Sequence, residues 1–461
     1  MAVTRWGIIG PGDIAHNFAD GLKETDTGKL IAIASRDAAR RKAFGDQYSV
    51  AADKRYSTYE ALAADPEIDA IYVSTPHPWH AELSIMAMRH GKALVCEKPM
   101  GMNAGEAAAV TEAAVQAGVF FMEAFMYRCH PQIARLVEII KSGEIGAVRH
   151  IKATFGFSSQ RNPASRLYDP MLGGGGILDV GCYPVSASRL IAGAAIGAGF
   201  DNPTQVKGVA VMGPTGVDET AFGLLTFKSG ITAEIACSVQ NEMENAVIVF
   251  GEKGSIRLGN PWVPGRNAGP SDATIEVTSG GNSRVEDVKS HHHLFAFEAD
   301  LASRLIAEGK KQAVSPAMSH GDSVGNAETL DRWRQEVGYV TFAEKPKSRR
   351  RTAGFPELFH PAFPPFPRSS LTASSCLYRA SPSAATTRMT SAPALLSGTH
   401  LWKLAAMRLT PALSMAAGTM KWCWVNGSPR ATSKRTSMSS SKARTRPTAP
   451  PAPSRRSSTF R

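Results

Sequence analysis

Two sets of residues in this chain could act together on a small molecule. One is a glycine turn suited to a diphosphate; the other is a group of polar side chains placed beyond strand ends. The turn is Gly10-Pro11-Gly12-Asp13-Ile14-Ala15. Its Gly-x-Gly-x-x-Ala form carries meaning when it joins a strand to a helix. There Gly10 permits the tight turn, and Gly12, with no Cβ, lets a pyrophosphate approach the backbone. Asp13 and Ile14 open the helix, whose free N–H groups and partial positive charge suit an anion. Ser35-Arg36-Asp37 follows the next apolar segment. An acid directly at that strand end would bind a ribose 2′-hydroxyl and select NAD; a hydroxyl beside a guanidinium suits a 2′-phosphate. NADP is therefore expected, with NAD still possible if Asp37 turns toward the ribose. The second set lies in three segments: Ser74-Thr75-Pro76-His77, Glu97-Lys98-Pro99, and Asp179-Val180-Gly181-Cys182-Tyr183 behind the glycines 173–176. The first two follow apolar strands, and ligands of open α/β sheets bind beyond such carboxyl ends.

The surrounding pattern supplies the elements. Short apolar runs near residues 5–10, 30–34, 70–75, 93–96 and 119–122 alternate with helical periods. Ile14, Phe18 and Leu22 share one helical face; so do Ala81, Ile85 and Met88, with Gly91 at the expected C-terminal cap. Asn103 and Glu106 suit a capping box for an Ala-rich helix that ends near Gly118. This alternation predicts a doubly wound parallel sheet over residues 1–124. From residue 125 to 345 one helix precedes a series of extended segments, and two helices close the region. That is the grammar of an α+β domain with an open, mostly antiparallel sheet.

The remaining 116 residues read differently. Residues 346–461 carry 19 Lys and Arg against one acid, Glu357, whereas the first 345 carry 33 against 39. The net charge of +12 is thus a property of the tail, and it does not argue for nucleic acid as a partner of the body. Ser, Thr and Pro make up 46 of those 116 residues. Such a segment cannot bury enough surface to offset its chain entropy. It reads either as a disordered basic extension or as translation in a shifted frame. No apolar run of about 18 residues predicts a membrane span, and the start has no signal-peptide pattern. Six cysteines without a C-x-x-C pair read as reduced thiols, and a cytoplasmic location is expected.

Taken together, the glycine turn, Ser74-Thr75-Pro76, Glu97-Lys98-Pro99, and Asp179 with Tyr183 behind the glycine run resemble the Gfo/Idh/MocA oxidoreductases. The resemblance covers roughly residues 3–345. The run Met122-Glu123-Ala124-Phe125-Met126-Tyr127-Arg128 with Pro131 resembles the branch that holds dimeric dihydrodiol dehydrogenase and NADP-dependent D-xylose dehydrogenase. It implies a Rossmann domain followed by an open-faced sheet domain, with substrate between them and a cis bond before Pro99. Ser74, Thr75, His77, Glu97 and Lys98 are then expected at the cofactor cleft, although relatives often carry Asn where His77 stands.

The chemistry follows from the groups. Oxidising a hydroxyl needs a base for its proton while hydride leaves the carbon. A free phenol, with a pKa about 10, is a poor base at neutral pH, and a nearby ammonium favours its ionised form. Tyr183 is therefore read as general acid/base and Lys98 as its electrostatic partner, with the proton carrier within the pair left open. Asp179, four residues earlier, shares a face with Tyr183 if the segment is helical, and could orient Lys98 or a substrate hydroxyl. Arg161 and Arg166 are candidates for substrate contact. His291-His292-His293 is not expected to hold a metal, since consecutive residues share no face. The expected function is hydride transfer between a nicotinamide and the CH–OH carbon of a sugar or cyclic polyol. A trans-dihydrodiol is the alternative substrate, and a non-catalytic sugar sensor is the alternative of another class. A homodimer through the C-terminal sheet is expected by analogy.

Overall fold

The computed structural model describes residues 2–265 and 269–344. The 346–461 tail, expected above to be disordered or frame-shifted, lies outside the described residues.

The first half is a six-stranded parallel sheet. In chain order it runs β1 (Thr4–Ile9), α1 (Asp13–Lys23), β2 (Gly28–Ala34), α2 (Ala38–Gln47), β3 (Arg55–Tyr56), α3 (Tyr59–Ala64) and β4 (Ala70–Val73). It continues through α4 (His80–Arg89), β5 (Ala93–Glu97), α5 (Ala104–Ala117) and β6 (Phe121–Ala124). Spatial order is β3-β2-β1-β4-β5-β6, with every pair parallel. Strands buried on both faces need continuous apolar runs, and β4 and β5 are buried along their whole length. The order reverses between β1 and β4, so a crevice opens beyond their carboxyl ends. Gly10 follows one of these strands and Ser74 the other.

The second half opens with α6 (Pro131–Ser142), β7 (Val148–Gly156) and α7 (Cys182–Ala195). Then come β8 (Pro203–Met212), β9 (Asp218–Phe227), β10 (Thr232–Ser238), β11 (Ala246–Gly251), β12 (Gly254–Gly259), β13 (Ala273–Ser279) and β14 (Asn282–Val288). It ends with α8 (Leu294–Ala307) and α9 (His320–Glu336). The eight strands order as β14-β13-β12-β11-β7-β10-β9-β8. Only β7 and β10 pair in parallel; the others are antiparallel. Helices α6, α7 and α9 pack on this sheet. Along β8 and β9 outward-facing Val209, Val211, Phe222 and Leu224 are exposed.

The expected fold class is the observed one, with local differences. Helices α2 and α3 and strands β3 and β14 escaped the pattern reading, because they are short or polar. The last parallel strand starts two residues later than its apolar run. At α5, Asn103 Oδ1 accepts the Glu106 N–H at 3.0 Å as a cap should, but Glu106 Oε2 accepts from Met102 N rather than Asn103 N. Helix α8, late in the chain, covers the parallel sheet: Trp6 Nε1 donates to Ser303 Oγ at 2.9 Å and Thr27 Oγ1 to Asp300 Oδ1 at 2.9 Å.

Candidate active site

The glycine turn has the conformation that a diphosphate-binding turn requires. Gly10 sits at φ +90°, and a Cβ there would lie 2.9 Å from Thr75 Cγ2. A Cβ on Gly12 would meet nothing within 4 Å, so its outer face is open space. Asp13 and Ile14 form the first turn of α1 behind it. Ser74 Oγ donates to the carbonyl oxygen of Gly10 at 2.9 Å and holds the turn against the end of β4. Thr75 Oγ1 is buried beside the turn with no hydrogen-bond partner among the described residues, an orphaned group of the kind a bound molecule satisfies. These residues fit a dinucleotide diphosphate.

Beyond β2, Ser35 is buried and its Oγ accepts the Asp37 N–H at 3.2 Å. Asp37 caps α2, accepting the N–H groups of Ala39 and Arg40 at 2.9 and 3.0 Å. Those bonds, the Arg40 N–H first, hold its carboxyl below the usual range. Asp37 is thus occupied by the helix. Arg36 places its guanidinium 5.7 Å from the centre of the Tyr59 ring. Arg40 pairs with Asp37, and Arg41 bonds the Ser35 carbonyl.

The end of β5 and the start of α7 bring Lys98, Asp179 and Tyr183 together. Lys98 Nζ donates to the carbonyl oxygen of Asp179 at 2.8 Å, lies 3.8 Å from Asp179 Oδ1, and sits 5.0 Å from the centre of the Tyr183 ring. The Lys98–Pro99 bond is cis, as the resemblance implied. Asp179 lies in a wide π-type turn (Ile177–Gly181) that runs directly into α7, where Tyr183 stands. Arg166 Nη1 donates to Asp179 Oδ1 at 2.6 Å, and the arginine side chain is half-exposed. Burial pushes the Asp179 carboxyl up, but Arg166 and then Lys98 outweigh it and hold the group well below the carboxylate range. Tyr183 is buried among Phe125, Tyr127, Phe155 and Trp262. Its hydroxyl donates to Met126 Sδ at 3.5 Å.

His77 is buried with Nδ1 3.3 Å from the carbonyl oxygen of Gly173, and burial drives its pKa well down, so the ring is neutral. His80 ties two loops: Nδ1 lies 2.8 Å from Pro99 O and Nε2 2.5 Å from Thr75 O. Glu97 accepts the Tyr72 hydroxyl and, at 3.2 Å, the Lys98 N–H. Arg161 is spent elsewhere. It forms a two-pronged pair with Glu219, Nε donating at 2.7 Å. Among the described residues no group of three His, Cys, Asp or Glu side chains is placed to hold a metal ion.

Sequence reasoning missed two supports. Asp218 Oδ2 accepts the Ile177 N–H at 2.6 Å and anchors the π-type turn. Gly175, at φ +113°, is the partner of that contact, since a Cβ there would lie 2.3 Å from Asp218 Oδ1. No local pattern marks Asp218. The second is Glu123, whose signal was available as an isolated acid inside an apolar strand.

Comparison with known proteins decides the family. Residues 4–125 match the oxidoreductase family with NAD-binding Rossmann fold, and residues 133–257 match the GFO/IDH/MocA C-terminal domain. The chain belongs to the GFO/IDH/MocA oxidoreductases. Trans-1,2-dihydrobenzene-1,2-diol dehydrogenase of Mus musculus is 32% identical over 349 residues, 74% of this chain and 98% of the relative. The Sus scrofa protein of the same name is 33% identical over 351 residues, again 74% and 98%. Two solved structures share the fold of this GFO/IDH/MocA chain. The 3-ketoreductase KijD10 of Actinomadura kijaniata, with NADP and TDP-benzene, has a TM-score of 0.65 at 25% identity, covering 73% of this chain and 98% of its own. The aldose–aldose oxidoreductase of Caulobacter crescentus, with glycerol, has a TM-score of 0.66 at 22% identity and the same coverage.

Proposed function

We propose that this GFO/IDH/MocA oxidoreductase uses NADP to interconvert a secondary alcohol and a ketone on a six-membered ring, in a sugar or cyclic polyol. The observation that carries the reading is the meeting of Lys98 with Asp179, 81 residues apart, beside an open glycine turn. Gly10, Gly12 and the first turn of α1 would hold the diphosphate, with Ser74, Thr75 and His77 bordering it and Glu97 behind Lys98. Ser35 and Arg36 would take the 2′-phosphate, a reading that the capping role of Asp37 supports. The bound nicotinamide supplies or accepts the hydride.

The chain's own part is the proton. In oxidation the substrate hydroxyl gives its proton to the uncharged amine of Lys98, which becomes the ammonium; in reduction the ammonium returns that proton to the carbonyl oxygen. Lys98 suits this better than Tyr183, whose hydroxyl is turned to a thioether in an aromatic nest. Tyr183 then supports the ammonium through its ring face. Asp179, kept ionised by two cations, orients Lys98 through its carbonyl and Arg166 through its carboxylate. Arg166, half-exposed, has guanidinium N–H groups left for vicinal hydroxyls. Arg161, paired with Glu219, would shape the loop rather than touch substrate.

The test is NADP⁺ reduction by the full chain across aldoses, inositols and trans-dihydrodiols. The dihydrodiol arm is favoured by the relatives above, and it asks the same of these residues. Lys98→Met is expected to lower turnover by about a thousandfold while NADPH still binds. Tyr183→Phe, which keeps the ring, is expected to cost far less. An equal loss in both would return the proton to the phenol; full turnover of Lys98→Met would refute the proton role of Lys98, and a wild-type chain that binds NADPH but reduces NADP⁺ with none of these substrates would leave the sugar-sensor reading.

Residues 1–124 would serve as the cofactor domain and 125–345 as the substrate domain. The apolar outer face of β8 and β9 supports a homodimer through that sheet. Free thiols at Cys96, Cys129, Cys182 and Cys237 support a reducing, cytoplasmic setting.

A further inference from the structure

The backbone around Lys98 is held by two buried carboxylates. Pro99 has no N–H, so residues 98–100 carry two such donors. The Lys98 N–H goes to Glu97 Oε2 at 3.2 Å, and the Met100 N–H goes to Glu123 Oε1, from the neighbouring strand β6, at 3.0 Å. Glu123 is 4% exposed, and its other oxygen, Oε2, is buried with no hydrogen-bond partner among the described residues. It lines a small pocket behind the Lys98 loop, together with Asn326 and Asp331 of α9.

Next to it lies a buried ionic cluster. Arg128 Nη2 and Arg189 Nη1 donate to the two oxygens of Asp322 at 2.8 and 2.6 Å, and all three side chains are at most 1% exposed. At Glu123 the members of this cluster act in opposite senses, Asp322 against Arg189. Burial raises the Glu123 pKa to about 7; Ser323 and then the Met100 N–H pull it down, Asp322 pushes it up, and Arg189 adds the smallest downward pull. The remaining titratable groups around it are Cys96 on β5, Cys182 on α7, Asp331 on α9, and Lys98, Glu97 and His80 across the loop.

We propose that Glu123 is a positioning residue for Lys98: its carboxylate, when ionised, clamps Met100 N–H and so fixes where the Lys98 ammonium stands. This rests on Lys98 being the proton carrier. An ionised acceptor makes a shorter and stronger bond to an N–H than a neutral one does. The clamp therefore tightens as pH rises through neutrality and loosens below it.

Glu123→Gln keeps the shape and an oxygen acceptor but loses the charge. The test is kcat of the full chain at saturating NADP⁺, near pH 6 and near pH 8, for wild type and variant. Wild type is expected to exceed the variant about tenfold at the higher pH and to match it at the lower, where its own carboxyl is protonated. A purely structural role would give the same ratio at both. In parallel, hydrogen exchange of the wild-type peptide 98–103, corrected for intrinsic rates, is expected to slow about tenfold from the lower to the higher pH. A pH-independent ratio, or pH-independent protection, overturns the proposal. Should the variant fail to fold, the exchange measurement decides alone. A fully active Lys98→Met would strike the reading of Lys98 instead, and the exchange result would still judge the clamp.

Discussion

The two sheets of this molecule solve different problems with the same backbone. The parallel sheet is covered on both sides, by its own helices and by α8, and its edges of interest are strand ends. The proposed site residues there hang on loops after β1, β2, β4 and β5. The mixed sheet is covered by α6, α7 and α9 and keeps apolar side chains at its outer surface along β8 and β9. Its share of the proposed site, Asp179 and Tyr183, comes from the turn and helix packed against it and not from its strands. A parallel sheet aligns strand ends and so collects functional loops on one edge. An antiparallel sheet alternates its ends and offers a face instead. The first half should therefore break at points and the second over an area.

The joint between the halves should break hardest. Arg128, in the turn after β6, bonds Asp322 of α9, Ser186 of α7 and the Pro316 carbonyl. Arg128→Met strands the Asp322 carboxylate with one guanidinium and leaves buried carbonyls without their donor. Removing one member of a buried ion cluster costs about 3–5 kcal/mol. The expected outcome is a melting temperature lowered by roughly 5 °C, read by calorimetry. A loss too small to measure would mean that the two halves do not depend on this joint.

The outer face of the mixed sheet should respond in assembly and hardly at all in fold. Phe222 and Leu224 are 46% and 58% exposed, next to Val209 and Val211 on the paired strand. Replacing both with Asp (Phe222→Asp, Leu224→Asp) places two charges in the middle of this patch. If the face is a dimer contact, the dimer dissociation constant rises about a hundredfold or more, visible by sedimentation at micromolar protein. Melting of the separated chain should move little, since neither side chain belongs to the core. A wild-type chain that sediments as a monomer would remove the area argument altogether.

The contrast also explains what was legible. The parallel sheet could be read because burial on both faces demands continuous apolar runs, and because turns such as Gly10–Ala15 have few chemical alternatives. Lys98 was visible for the same reason, fixed between a strand end and a proline. Asp179 and Tyr183 could be paired with it only through the family resemblance, because nothing local says that residues 98 and 179 meet. Glu123 was written in the strand but gave no hint of its partner Met100. Asp218 and Arg128 were illegible, since their meaning lies wholly in contacts with Ile177 and Asp322. The Asp37 question turned on a rotamer: the residue could serve a ribose or a helix end, and here it serves the helix.

That last point gives the smallest expected effect and the sharpest test of the strand-end principle. Arg36 is the first charged side chain beyond β2, with its guanidinium over Tyr59 and its neighbour Asp37 engaged with α2. If strand-end loops alone set cofactor choice, Arg36→Ala should lower the ratio of kcat/KM for NADP⁺ over NAD⁺ by about tenfold, the scale of one lost charge-assisted contact to a phosphate. Most of the loss should appear in KM for NADP⁺, with kcat preserved, because Arg36 stands far along the chain from Lys98 and contributes binding common to ground and transition states. An unchanged ratio would move the 2′-phosphate contact to Ser35 or Arg41, one helical turn on, and would show that a helix face shares the work here given to the strand end.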